Sequence, residues 1–213
     1  MYYRFAAVLV RHAPREAVDT FLRQPQLDVR RLIPALTSPR VRSSPSSSET
    51  TEHLIRYLEH SILTSHNTDS AVHNTLVTLY ATSPSPAHEA AFLRFLDLAP
   101  TDPGTGDPLY DLDYALRVSR AHGRVQACVR IYAQMGMHEA SVDLALEVDD
   151  VELAKLSAEG PEDDDLLRKK LWLKIAKHVV GQKNDIKRRV SLSLSLSLSL
   201  CLSLALAPRR SCS

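Results

Sequence analysis

The sequence is poor in the residues that build sheets and in those that build reactive centres. Of 213 residues only six are glycine and 6% are aromatic. Runs of valine, isoleucine or threonine are also few, which argues against a sheet protein, where β-branched and aromatic side chains abound. The three cysteines, Cys128, Cys201 and Cys212, are an odd number without a close pair, so neither a disulfide framework nor a Cys-x-x-Cys zinc site is on offer. Net charge is almost absent too. The 26 basic residues stand against 25 acidic ones, leaving no whole-molecule field to steer the chain onto nucleic acid or an anionic membrane. Residues 1–13 lack the charged-then-apolar layout of a secretory signal. A reducing cytoplasm is the expected compartment, and Cys128, set in an apolar helical pattern, is expected to be a buried small hydrophobe.

What the sequence has is short-range helical periodicity. Ala17, Val18, Phe21 and Leu22 share one face behind Pro14, in a helix that should stop near Pro25. Leu27 to Leu36 is a second run, which Pro34 should end or kink. Residues 38–48 read as a loop, followed by helices over about 49–64, from Thr68 or Asp69 onward, and from Ser85-Pro86 to before Pro100. After a turn over 101–108, Asp111 caps a helix that ends at Gly123; the next, 124–135, ends at Gly136. Helices over 137–148 and 149–158 follow, then a long one over 161–180 closed by Gly181. Ala115, Ala127, Ala140 and Ala154 supply about one small residue per helix, which lets antiparallel helices approach and stack. The expected fold is therefore all-α: an α-solenoid of stacked antiparallel helical hairpins, irregular in period and closer to a clathrin-heavy-chain repeat than to a tetratricopeptide. A compact helical bundle is the alternative, since it uses the same stripes.

From residue 181 the sequence changes character. A basic run leads into five Ser-Leu repeats over 191–200. The alternation has a strand's period but no second strand to pair with, and residues 190–208 carry no charge over nearly a membrane-spanning length, yet six of the nineteen are serine. A CT dinucleotide repeat encodes the same alternation, which points to a misread intron or alternative exon ahead of a disordered natural tail, an anchor or an aggregating strand.

No catalytic, cofactor or metal site is expected. His88-Glu89 and His138-Glu139 begin like a zinc-protease helix, but Phe92 and Val142 stand where its second histidine belongs. Gly104-Thr105-Gly106 lacks both the third glycine and the preceding strand of a dinucleotide loop and reads as a turn. The acids Glu162 to Asp165 suit a first helical turn, with Asp164–Arg168 and Asp165–Lys169 as i, i+4 pairs. Leu167, Leu171, Ile175 and Val179 form the buried side, with the lysines and arginines between them as a solvated face. Trp172 packs beside the buried side or serves as a contact for a partner protein.

Several segments carry a family resemblance. Tyr110 to Arg117, His122-Gly123, Ala127-Cys128-Val129, Glu139-Ala140 with Val142 to Leu146, and Leu167 to Ala176 with His178 to Val180 resemble the vacuolar protein sorting-associated protein 18 family, also called deep-orange. Tyr3 to Phe5, Leu32 to Leu36, Ile55 to Glu59 and Ala71 to Asn74 with Leu79 to Ala81 look like the same family in the same order. The resemblance implies the middle of an α-solenoid over 1–180, with 181–213 a low-complexity tail foreign to the family pattern. It further implies a scaffold subunit of the HOPS and CORVET membrane-tethering complexes. Such a subunit works in the cytoplasm, peripherally on late endosomes and lysosomes or vacuoles. Its partners would be the other subunits, with SNAREs and Rab GTPases reached through the complex, no nucleic acid, and only indirect contact with membrane. The family's zinc-binding RING would lie beyond residue 180, so a ubiquitin-ligase role is weakened. A clathrin-like coat protein and a truncated reading frame with no independent role are the remaining readings.

Overall fold

The computed structural model describes residues 2–24, 26–38, 47–98, 100–161 and 164–182. Among these, helices follow one another as α1 Tyr2–His12, α2 Pro14–Leu22, α3 Val29–Leu36, α4 Ser47–Leu63, α5 Ser70–Thr82 and α6 Pro86–Leu98. They continue as α7 Leu112–Ala121, α8 Val125–Gln134, α9 His138–Glu147, α10 Val151–Glu159 and α11 165–182. The bridge Thr101–Pro108 is isolated and no strand occurs among the described residues. It closes the glycine-containing turn, where Gly106 N–H donates to Asp102 O at 2.8 Å and Gly104 N–H to the Asp102 carboxylate at 2.9 Å. The loop residues 39–46, Glu162, Asp163 and the Ser-Leu tail with Cys201 and Cys212 lie outside the described residues.

Aspartate starts most of the helices whose caps are resolved. Asp28, Asp69, Asp111 and Asp150 each accept from a first-turn amide, of Arg30, Ala71, Tyr114 and Leu153, at 2.9–3.0 Å. Asp164 accepts from both Leu166 and Leu167. Each such bond satisfies a donor the helix cannot satisfy itself. The long helix accordingly begins at 165, not at Pro161. With its carboxylate spent on the cap, Asp164 is not the partner of Arg168; the guanidinium pairs with Asp165 instead.

Three successive turns share one geometry, at residues 123, 136 and 149, each thirteen on from the last. Gly123, Gly136 and Asp149 have φ of 66°, 73° and 59°. Each donates to the carbonyl three back (Arg120, Ala133, Leu146), and the following residue donates to Ser119, Tyr132 or Ala145. This is the paired bonding of a Schellman end, which needs a left-handed residue just past the helix. The spacing is thus regular over these three turns, within a solenoid whose other helices differ in length, with 8 residues in α3 and 17 in α4. The third turn was hidden because aspartate, which tolerates that conformation, stands in place of glycine. Asp149 and Asp150 fall in the turn and not in a helix from 149. Gly181, expected to close α11, lies inside it. Pro34 lies inside α3, which ends two residues later.

The helices stack in two rows. Neighbours in sequence pack as hairpins (α1 on α2, α4 on α5, α7 on α8, α8 on α9, α9 on α10), and alternate helices pack within a row: α1–α3–α5–α7 in one, α2–α4 and α6–α8–α10 in the other. The apolar interior forms two clusters. One runs from Ala6 to Ile131, the other from Val129 to Ile175. They meet at α8, which gives Ala127 and Ile131 to the first and Val129, on its opposite side, to the second. Ala115, Ala127 and Ala154 are the small buried residues expected. In α9 that place is taken by Ser141 and not by half-buried Ala140. Its hydroxyl can afford burial because Val129 O and Ser157 Oγ both lie 2.9 Å away.

Gly136→Ala should lower stability by about 1 kcal/mol in urea titration, since the added Cβ meets no atom within 4 Å and introduces only left-handed strain. A pH effect comes from His73, which is buried in α5. Its Nε2–H donates to Asn67 O at 2.8 Å while Nδ1 has no partner. Burial lowers its pKa from 6.5, against the opposing pull of the Asn67 carbonyl and Asp69. The folded chain therefore holds this imidazole neutral, and its contribution is intact above pH 6.5 and lost as pH falls below it. The melting temperature should drop on acidification from neutral pH, and His73→Gln should flatten that slope.

Candidate interaction surface

The most heavily worked surface is α11 and what it rests on. Its inner face sets Leu171 and Ile175 into the core with Val142, Ala145 and Ala154. Leu167 and Val179 pack at the margins, as the spacing predicts. Beside this seam runs a polar ladder to α9 and the turn that follows it: Lys170 Nζ to Glu139 at 2.6 Å and Lys174 to Asp143 on the helix, and His178 Nε2 to Asp149 at 3.0 Å in the turn. Gln182 also donates to Asp149. The rungs advance in the same direction along both chains, so α9 and α11 are parallel, as alternate members of a row must be. Part of the basic run expected to be a solvated face is therefore spent inside the molecule. Each rung is half-exposed and contributes at most about 1 kcal/mol; together they fix the register of α11.

The outer face of α11 is a different surface. Leu166, Leu173 and Val180 are 79%, 56% and 57% exposed, and Lys169 and Lys177 stand among them. Trp172 lies on the shoulder between this face and the core, 37% exposed.

Two open clefts mark the second row. One, of about 280 Å³, is floored by Ile62, Leu76 and Phe95 between α4, α5 and α6. At its edge the Tyr80 hydroxyl donates to Glu59, and burial together with that bond raises the tyrosine's pKa. The other, of about 440 Å³, lies among α6, α8, α9 and α10, where Arg130 pairs with Asp97.

Neither cleft assembles a reactive group. The places where a zinc-protease helix needs its second histidine hold Phe92 and Val142, both fully buried core residues. Glu89 is paired with Arg124 and Glu139 with Lys170. His88 Nδ1 is 2.6 Å from Ser83 Oγ. No group of three or more His, Cys, Asp or Glu among the described residues is placed to hold a metal ion. No described helix is long and apolar enough to cross a membrane. Cys128 is buried, and that burial pushes its thiol up to about 11. Sequence reasoning missed Arg124, which joins three places at once: its guanidinium donates to Ala81 O at 3.1 Å, to Ser83 O, and to Glu89 at 3.0 Å, tying α8 to the α5–α6 corner.

Short helices in two rows, most of them packed on a neighbour and on a helix two along, define an α-solenoid segment. A family model described as "VPS18, alpha-solenoid domain, second half" matches residues 1–180. The chain is 42% identical over 193 residues to "Vacuolar protein sorting-associated protein 18 homolog" of Danio rerio, covering 90% of this chain and 19% of that protein. It is 40% identical over 190 residues to "Vacuolar sorting protein 18" of Arabidopsis thaliana, covering 88% and 19%. With "Vacuolar membrane protein pep3" of Schizosaccharomyces pombe the identity is 36% over 182 residues, covering 85% and 19%. The chain belongs to the vacuolar protein sorting-associated protein 18 family and spans 19% of the length of these curated relatives.

Two outcomes test this surface. Arg124→Lys should cost about 2 kcal/mol, because an ammonium cannot reproduce the forked bonds to two carbonyls and a carboxylate; calorimetry reads the loss. In native protein at pH 8, the Cys128 peptide should resist alkylation, becoming labelled only in denaturant, as read by mass spectrometry.

Proposed function

We propose that the chain is an interaction scaffold, a solenoid segment of a core subunit of the HOPS and CORVET complexes, which tether endosomal and lysosomal or vacuolar membranes before SNARE-driven fusion. The observation that carries this reading is the family match over residues 1–180. The working unit is residues 1–180, with 181–213 an appendage that takes no part in binding. Sister subunits are its direct partners; SNAREs and Rab GTPases are reached through the assembled complex. Membrane contact is peripheral and indirect, on late endosomes and lysosomes or vacuoles, from the cytoplasmic side. Trp172, 37% exposed on α11, is the aromatic anchor for a partner protein, because an indole brings a large contact area on few rotatable bonds.

Co-purification tests this. Immobilised full chain should retain at least one purified sister subunit of these complexes, and a version ending at Val180 should retain it equally. Retention of none by either version would overturn the scaffold reading.

A further inference from the structure

The second row is packed at α2–α4, α6–α8 and α8–α10, and the step from α4 to α6 is its gap among the described helices. The cleft of about 280 Å³ opens there, inside the stack, with α1–α3 ahead of it and α7–α11 behind. Its two lips run in the same direction. α5 forms a hairpin with α4, and its rings descend from Tyr80 to His73 as those of α6 rise from Phe92 to Phe95, so α5 is antiparallel to both lips. Each lip ends in an exposed leucine, Leu63 at 57% and Leu98 at 76%, the last residues of α4 and α6. One turn earlier on the same faces stand Glu59 and Arg94, which also line the cleft. The lips therefore carry matching groups in matching order, acid across from base and leucine across from leucine. Neither charge is spent. Tyr80 donates to Oε1 of Glu59 and leaves Oε2 without a hydrogen bond among the described residues, where Arg94 likewise has no ion-pair partner. The same hydroxyl feels both: burial and Glu59 raise the pKa of Tyr80, and Arg94 lowers it.

We infer that this cleft is a closable joint: α4 and α6 swing together over α5, Arg94 pairs with the free oxygen of Glu59, and Leu63 is buried against Leu98. The second row then packs without interruption. Removing the two leucines from water drives closure, and the ion pair, which is worth little by itself at a surface, sets the register in which the lips meet. The first row supplies the hinge. There α3, α5 and α7 stay packed while the lips part or meet, so the two forms differ in how far the stack bends toward the cleft side. No second polypeptide is needed, since each lip is the other's cover.

Disulfide trapping tests the joint in the full chain. With Leu63→Cys and Leu98→Cys introduced, Cys201→Ser and Cys212→Ser removing the tail thiols, and Cys128 left buried, diamide should form an intramolecular bridge, which requires Cα atoms within about 7 Å. Non-reducing electrophoresis and peptide mass spectrometry read it. Arg94 is exposed, so it can be varied while the Tyr80–Glu59 bond stays intact. Arg94→Lys should keep the trapping rate within about twofold, Arg94→Glu should slow it about tenfold, Arg94→Gln should fall between, and raised salt should narrow the spread. An unchanged melting temperature across the series checks the fold. Leu63→Cys with Leu156→Cys, two exposed positions on helices that no such cleft joins, is the control for general flexibility and should not trap. No bridge between positions 63 and 98, a rate indifferent to the charge at position 94, or a control that traps as fast would each overturn the inference.

Discussion

A helix of ten residues cannot stand by itself in water, and the whole molecule follows from that. Forming the first turn fixes several residues for one hydrogen bond, so isolated helices below about 12 to 15 residues are marginal. From α7 to α10 none exceeds ten residues. Each must therefore find apolar faces on at least two other helices: α7 on α5 and α8, α8 on α6, α7, α9 and α10. The Schellman turns exist to make this possible. They reverse the chain in so few residues that consecutive helices lie antiparallel and alternate ones parallel, which is the arrangement in which α9 and α11 can share a ladder of charge.

Much of this was legible in the sequence, and the legible parts are the local ones. Asp111 ahead of an apolar stripe, and Gly123 and Gly136 behind one, act through bonds to residues a few positions away, so spacing alone reveals them. The failures have the opposite character. Asp149 was read as helical because glycine is the usual sign of a left-handed position; its role becomes plain only when His178 and Gln182 arrive from thirty residues away. Gly181 looked like a stop, but a glycine ends a helix only if the chain turns there. Ala140 looked like the small contact in α9, whereas the buried position belongs to Ser141, whose hydroxyl is acceptable only because Val129 O and Ser157 Oγ lie within hydrogen-bond distance of it. Arg124 carried no local signal at all, since its partners are set by the α5–α6 corner.

The surface follows the same division. That Trp172 would lie near the edge of the buried stripe could be read from the stripe. Which lysines of α11 remain free could not, because the answer depends on where the acids of α9 fall. Sorting the basic residues of one helix into those spent within the molecule and those left over is a tertiary result, and it turns an undifferentiated charge run into a surface with a sign and a spacing.

The meeting of both apolar clusters on α8 carries a mechanical meaning. Everything from α1 to α7 is coupled to everything from α9 to α11 chiefly through ten residues that face two ways. Among the described residues no other helix gives side chains to both clusters. Arg124, at the head of α8, acts as the bolt that keeps this helix seated against the first cluster. Each apolar core thus closes on its own side of α8, and a change that moves this one helix is felt by both.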